Sequence, residues 1–303
     1  RAGPAELRNP RSALDINRKH HTIVRRVFRK GLNMFQRSLI LLVALIFSGP
    51  IYAHEFWISP VEFQVSVNSP ISAHFRVGQD FKGGSHSYLS RYTTRHELHH
   101  SGAVLEMSAR EGDRPAMQHP GLEDGLAVLV HETTDSTLTY REFEKFINFI
   151  KHKNFEGLPE AHMARGLPDV GFVESYRRFA KSLISVGHGA GQDRRIGLEI
   201  EIVALSNPYT EDLSEGLAVQ VFLNGTPRAD VQIELFSRRA GTKEPALIQL
   251  YRTDALGIAR FPVINGHEYM VDNVALRPVE AASADDPVWH SLWANLTFAV
   301  PEN

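Results

Sequence analysis

Alternating hydrophobic and polar residues predict β-strands throughout the region 54–135. Within each run, apolar and polar residues alternate with a period of two, and turn-forming residues such as Asn68-Ser69-Pro70 and Ser101-Gly102 separate the runs. The number and spacing of these strands predict an N-terminal β-sandwich over 54–135. The runs are residues 61–67 (VEFQVSV), 71–77 (ISAHFRV), 92–100, 103–109 and 126–131.

A period near 3.6 residues replaces this alternation in the region 136–187. Residues 139–150 begin with the T-x-x-E spacing of a capping box and continue with apolar residues at i, i+3, i+4 and i+7. Residues 172–186 carry a second set of apolar positions at helical spacing, and a glycine follows them as a stop signal. The region 136–187 is therefore predicted to be a helical connector.

Strand patterns resume after the polar, glycine-rich stretch at 188–197. Seven short runs lie between residues 198 and 300, separated by turn signals such as Asn224-Gly225 and Asn265-Gly266. This spacing predicts an immunoglobulin-like sandwich over 188–303. The predicted fold class is mainly β, with two immunoglobulin-like β-sandwich domains joined by a short helical segment.

The first 53 residues have a different pattern. Residues 34–53 contain a start-like Met34, the single cation Arg37, an apolar run and a small residue at the end, Ala53, which is the layout of a secretory signal peptide. We therefore expect a periplasmic protein that begins at His54; an uncleaved membrane anchor is the alternative. Residues 1–33 are basic and aperiodic, and we interpret them as an over-extended gene start without ordered structure; a cytoplasmic tail is the alternative.

The amino-acid composition limits the kinds of functional site and partner that the chain can have. The chain has no cysteine, which excludes disulfide scaffolds, thiol nucleophiles and thiolate metal sites. Residues 54–303 hold 23 Lys and Arg against 33 Asp and Glu, a net charge of −10, so nucleic acid is not an expected partner. The same region holds 13 of the 15 histidines, and imidazole is a good ligand for nickel, cobalt, copper and zinc.

Eight segments between residues 54 and 300 match a known family in order. On these segments the chain resembles a bacterial exported family of unknown function that is grouped with periplasmic components of nickel and cobalt transport. The resemblance implies two β-sandwiches with a helical connector, and a membrane transporter component as a partner. Relatives often carry histidine where this chain has Phe179 and Ala275, so two ligands that the family could use are absent here. The segments are HEFWISP at 54–60, RVGQDF at 76–81, EKFINF at 144–149, SYRRFAKSLISVG at 175–187, GLEIEIVALSNPY at 197–209, FLNGTPRADVQIEL at 222–235, TDALGIARFPV at 253–263 and WHSLWANLTF at 289–298.

His54 is the first candidate metal ligand. At a mature N-terminus its α-amino nitrogen and its ring nitrogen form a chelating pair, and the α-amino group titrates near ~8. A second imidazole would complete a three-nitrogen site for Cu(II) or Ni(II). If cleavage occurs elsewhere, His54 is an ordinary surface residue before the first strand.

His96 and His100 are the other candidate ligands. The segment H-E-L-H-H at 96–100 matches the HExxH pattern of zinc proteases, which requires a helix. Strand-forming residues precede this segment and a turn follows it, so we expect a strand, on which His96 and His100 would lie ~13 Å apart. A weak surface metal patch or a solvated hairpin are the remaining interpretations.

These features favour a non-enzymatic, exported metal-binding accessory protein. It would bind a divalent transition metal (nickel, cobalt or copper) and act with a membrane transporter. One alternative is an immunoglobulin-like envelope interaction or carbohydrate-binding module, for which Trp289 and Trp293 could form a stacking platform if they do not close the sandwich core. A second alternative is a histidine-brace copper enzyme built on His54.

Overall fold

A computed structural model describes residues 54–107, 109–283 and 285–302. Strands dominate this part of the chain, which confirms the mainly β prediction. The predicted signal peptide at 34–53 and the basic segment at 1–33 lie outside the described residues.

The described residues form eighteen strands, two α-helices and one short 3-10 helix at Ser90–Tyr92. The helices are α1 (Phe143–His152) and α2 (Leu158–Ala164). The strands are β1 (Glu55–Pro60), β2 (Gln64–Val65), β3 (Ile71–Gln79), β4 (Lys82–His86), β5 (Thr93–His100), β6 (Ala103–Glu106), β7 (Met117–His119), β8 (Gly125–Thr133), β9 (Ser136–Thr139), β10 (Val173–Val186), β11 (Ile200–Ala204), β12 (Leu217–Leu223), β13 (Thr226–Pro227), β14 (Gln232–Arg239), β15 (Leu247–Arg252), β16 (Ile258–Phe261), β17 (His267–Pro278) and β18 (Pro287–Val300).

The strands form one large sheet and two small ones. The central sheet has ten strands, in the order β15-β14-β17-β18-β10-β8-β5-β6, with β2 and β9 also paired to β10. One small sheet contains β1, β3, β4 and β7, and the other contains β11, β12, β13 and β16. The two predicted halves of the chain therefore share a sheet, because β10 and β8 continue into β18 and β17.

Four apolar clusters show how the layers pack. The β11–β12 sheet covers one face of the central sheet, with side chains such as Phe179 and Leu235 between them. On the other face, the β1–β3 sheet packs over β5, β8 and β10, and a smaller cluster around Trp57 joins β1 to β14 and β17. The two helices cover the remaining part of that face, above Trp289 and Trp293.

Helix α1 confirms the first helix prediction, but its start differs. Thr139 ends strand β9, and Glu142 precedes the helix without a side-chain capping bond, so the predicted capping box does not form. The amphipathic face is as expected, since Phe146, Phe149 and Ile150 are buried. Helix α2 was not predicted; it contains only seven residues, too few to show a helical period.

The predicted helix at 172–186 is wrong, because residues 173–186 form the central strand β10. Phe179 and Leu183 point into one core and Ala180 and Ile184 point into the other, since successive strand residues face opposite sides. A strand buried on both faces loses its polar alternation. Here the consecutive apolar pairs, spaced four residues apart, have the same spacing as the buried stripe of a helix.

Lys181 is the charged residue at the centre of β10. Its Nζ lies 2.8 Å from Asp193 Oδ1 and 3.2 Å from Glu201 Oε1, and all three side chains are almost fully buried. Asp193 Oδ2 also accepts the Ala204 N–H, and Glu201 accepts the N–H groups of residues 196–198. The ion pairs therefore fix the segment between β10 and β11 against the central strand.

We expect Lys181→Met to destabilise the protein by about 3–5 kcal/mol, because it leaves two buried carboxylates without a cation. Urea unfolding at pH 7 measures the free energy of unfolding. Lys151→Met, on the exposed side of α1, is the matched control and should change it by less than about 0.5 kcal/mol. Equal stability of the two variants would show that the Lys181 ion pairs contribute no net stabilisation.

Candidate metal centre

Two histidines face each other across neighbouring strands in the N-terminal half. His96 on β5 and His131 on β8 are direct partners in the antiparallel ladder, so their side chains point to the same side of the sheet. Their ring centroids lie 5.8 Å apart and the rings are almost perpendicular. The structure confirms that 96–100 is a strand, which rules out the helical HExxH arrangement.

Aromatic side chains enclose this pair. The ring of Phe75 lies 4.0 Å from that of His131, and the ring of Phe56, on the first strand, lies 5.4 Å from it. Tyr88 packs its ring 4.8 Å from His96. His131 is only 3 % exposed, so the pair sits at the edge of the apolar layer between the β1–β3 sheet and the central sheet.

The imidazole nitrogens of the pair lack hydrogen-bond partners. Both ring nitrogens of His96 and Nδ1 of His131 are buried and make no hydrogen bond within the described part of the chain. A buried nitrogen without a partner costs about 1–3 kcal/mol, so this arrangement is unfavourable unless something else satisfies it. A neutral imidazole has one N–H and one lone-pair nitrogen, and a metal ion is one group that would accept the lone pair of each ring.

Burial also sets the protonation state of both rings. It lowers the pKa of His96 to about 4 and that of His131 to about 3, and the neighbouring His96 lowers the pKa of His131 further. Both imidazoles are therefore neutral at pH 7. Neutral imidazole is the form that coordinates metals, so no proton has to be displaced when an ion binds.

His100 lies on the same face of β5 as His96 but in a different environment. It is 8 % exposed, and its Nδ1 lies 3.2 Å from the Leu126 carbonyl oxygen, while its Nε2 is buried without a partner in the described residues. The adjacent His99 contacts Glu97, which also binds Arg95. The solvated hairpin interpretation is wrong for this end of β5, because residues 98–100 are buried.

His54 stands exposed immediately before β1. Arg178 Nη2 donates a hydrogen bond of 3.0 Å to its carbonyl oxygen. The neighbouring Glu55 is buried, and desolvation together with the negative charge of Asp272 raises its pKa to about 8, so Glu55 is mostly neutral at pH 7. No ring contact joins His54 to another histidine among the residues that the structure describes.

Two imidazoles alone are an incomplete ligand set for a transition-metal ion. Across 54–302, outside the two undescribed positions, no group of three His, Asp or Glu side chains is arranged to hold a metal. His96 and His131 would supply two nitrogens to nickel, cobalt or copper, all of which bind imidazole well. Water or a small chelator would have to fill the remaining positions.

Comparison with known families adds one result. Residues 51–275 match the family described as Domain of unknown function (DUF4198). The chain belongs to this family. No curated protein matches the chain. Membership in DUF4198 confirms the resemblance to a family of unknown function, and a link to nickel and cobalt transport stays a prediction.

Within the described residues, neither helix of this DUF4198 protein is long and apolar enough to cross a membrane.

Sequence reasoning missed His131 as a partner of His96. The two residues are 35 positions apart, and only the register of β5 against β8 brings them together. The apolar run 126–131 that ends in His131 was visible, but its pairing partner was not. Trp289 and Trp293 are 1 % and 4 % exposed, so they are buried as expected and offer no surface for stacking a sugar, but their core lies between the central sheet and the helices rather than inside a sandwich.

Acidification should destabilise the protein through His131. Its folded pKa of about 3 lies below the unfolded value of ~6.5, so the unfolded state binds more protons between these values and stability falls as the pH falls. From pH 7 to pH 5 this residue should cost about 2 kcal/mol of unfolding free energy. The variant His131→Phe should lose that component in urea unfolding.

The exposed His188 provides the control for this pH dependence, because solvent reaches its ring in the folded protein as well. His188→Phe should keep the wild-type difference between pH 7 and pH 5. If His131→Phe also keeps it, the His131 imidazole is not neutral and buried in solution.

Proposed function

We propose that the protein is an exported, non-enzymatic metal-binding accessory protein that takes up nickel, cobalt or copper ions and passes them to a membrane transporter. The observation that supports this proposal is the His96–His131 pair, with neutral rings and three buried nitrogens that lack partners. The signal-peptide pattern at 34–53 supports export to the periplasm, and the resemblance to nickel and cobalt transport components supports the choice of metals.

The primary ligands that we propose are not at the N-terminus, where the sequence predicted the first candidate ligand. His54 stays a predicted ligand, but its ring contacts no other histidine among the described residues, whereas the rings of His96 and His131 face each other. His96 and His131 are therefore the proposed primary ligands. His100 would be a separate, weaker donor further along β5.

The packing of the C-terminal half on the central sheet also supports a binding function. The sheet of β11, β12, β13 and β16 packs face to face on part of the central sheet, and we propose that this C-terminal half is an immunoglobulin-like module. Such modules commonly serve as rigid supports and binding surfaces. In this protein the module would hold β10 and β8, and through them the metal ligands.

Calorimetry with Ni(II), Co(II) and Cu(II) tests the proposal. The whole chain is expressed, the exported form is purified, and mass spectrometry establishes its first residue. We expect about one ion per chain for at least one metal. His131→Phe should weaken this binding at least tenfold because it removes one of two nitrogen ligands, and His188→Ala should leave it unchanged.

The pH profile separates the two candidate sites. Binding to His96 and His131 should persist at pH 5.5, because these rings stay neutral until about pH 4. A chelate of His54 should already weaken below pH ~8, where its α-amino group takes up a proton. Binding that disappears at pH 5.5 and is abolished by His54→Ala alone would move the site to the N-terminus, and heat from none of the three metals would refute the metal proposal.

A further inference from the structure

A cleft of about 1000 Å³ lies on a different part of the protein from the histidine pair. The segment 59–64, which leaves β1, forms one side, and the turn between β3 and β4 forms another. The residues that end β14 and begin the next turn, 238–243, and the chain segment 299–302 complete it. Clefts of this size between packed layers are where small molecules usually bind.

The charge of this cleft is opposite to that of the rest of the exported region. Five cationic side chains line it against three carboxylates, although residues 54–303 as a whole carry a net charge of −10. A cationic concave surface on an acidic protein attracts anions locally. The cations are Arg76, Lys82, Arg238, Arg239 and Lys243, and the carboxylates are Glu62, Glu268 and Glu302.

Arg238, one of the lining residues, is held in place by several contacts. Its Nε lies 2.5 Å from Glu268 Oε1, and its Nη1 donates a hydrogen bond of 2.7 Å to the Phe81 carbonyl oxygen. Its guanidinium also lies 4.3 Å above the Phe81 ring. A guanidinium fixed by three contacts loses little further freedom when it binds a ligand, which favours affinity.

Arg76 supplies a second guanidinium that has no carboxylate of its own. Its Nη1 donates to the Gly83 carbonyl oxygen at 3.0 Å, and it makes no ion pair within the described residues. Burial and the nearby positive charge of Arg238 lower its pKa, and the negative charge of Glu268 offsets only part of this repulsion. An anion between them would relieve this repulsion.

The backbone beneath Arg76 is closely packed. A side chain at Gly83 would have its Cβ 2.6 Å from the ring of Trp57, so only glycine fits here without a shift. Strand β4 therefore packs directly against the buried Trp57, and Arg76 lies on the neighbouring strand β3. The cleft is built on fixed backbone on this side.

We propose that this cleft binds a small anionic molecule, recognised through its carboxylate or phosphate oxygens by Arg76 and Arg238. The N–H groups that these two guanidinium ions do not use within the protein can donate to the oxygens of either group, and such charge-assisted hydrogen bonds are the strong ones. Lys82 and Lys243, exposed at the rim, add attraction at longer range. This inference does not depend on metal binding.

Citrate and inorganic phosphate are the probes for the carboxylate and phosphate classes. Calorimetry on the exported protein at low salt should show saturable binding of at least one of them. The affinity should fall when KCl is raised to 0.5 M, because exposed charges are then screened. Arg76→Met should weaken binding by about tenfold or more.

Arg252→Met is the matched control, since Arg252 is also an arginine but pairs with Asp230 away from the cleft, and it should bind the probe like wild type. If Arg76→Met does not fold, a double variant with Lys82→Met and Lys243→Met tests the cleft through its exposed side chains. This double variant should weaken binding several-fold. Equal affinity of all cleft variants and the control would overturn the proposal. So would no binding of either probe, or binding only to vesicles of anionic phospholipid.

Discussion

The fold depends on keeping β10 buried on both faces, and the ion pairs of Lys181 make this possible. A charged residue in the middle of a central strand is costly unless its partners are buried with it. Asp193, in the segment between β10 and β11, and Glu201, on β11 itself, supply the two negative charges. The same contacts attach the β11–β12 sheet to the central sheet, so one cation on β10 links two layers of the structure.

This burial also explains where sequence reasoning succeeded and where it failed. Strands with one wet face, such as β3, kept their alternation and were predicted close to their observed bounds. The helix α1 was found because its polar face is exposed to solvent. Strand β10 has no polar face, and its polar residues are satisfied by partners far away in sequence, which no local pattern can show.

The candidate site was predictable only in part. The histidine content and the strand at 96–100 were visible from the sequence, and both lead to His96. The partner His131 depends on strand register, and the low pKa values of the pair depend on burial by Phe75 and Phe56 from another sheet. The cationic cleft was invisible in the same way, since the acidic net charge of the region hides a local excess of arginine.

The pairing of β10 with β18 has a consequence for how the chain acquires its structure. Ser182 and Thr297 are hydrogen-bonded across this pair although 115 positions separate them. During synthesis, β10 cannot pair with β18 until nearly all of the described sequence has been made. Parallel pairing of strands over such a separation is slow. The newly made chain therefore stays incompletely folded, and able to pass through a narrow channel, for a long interval before the layers pack together.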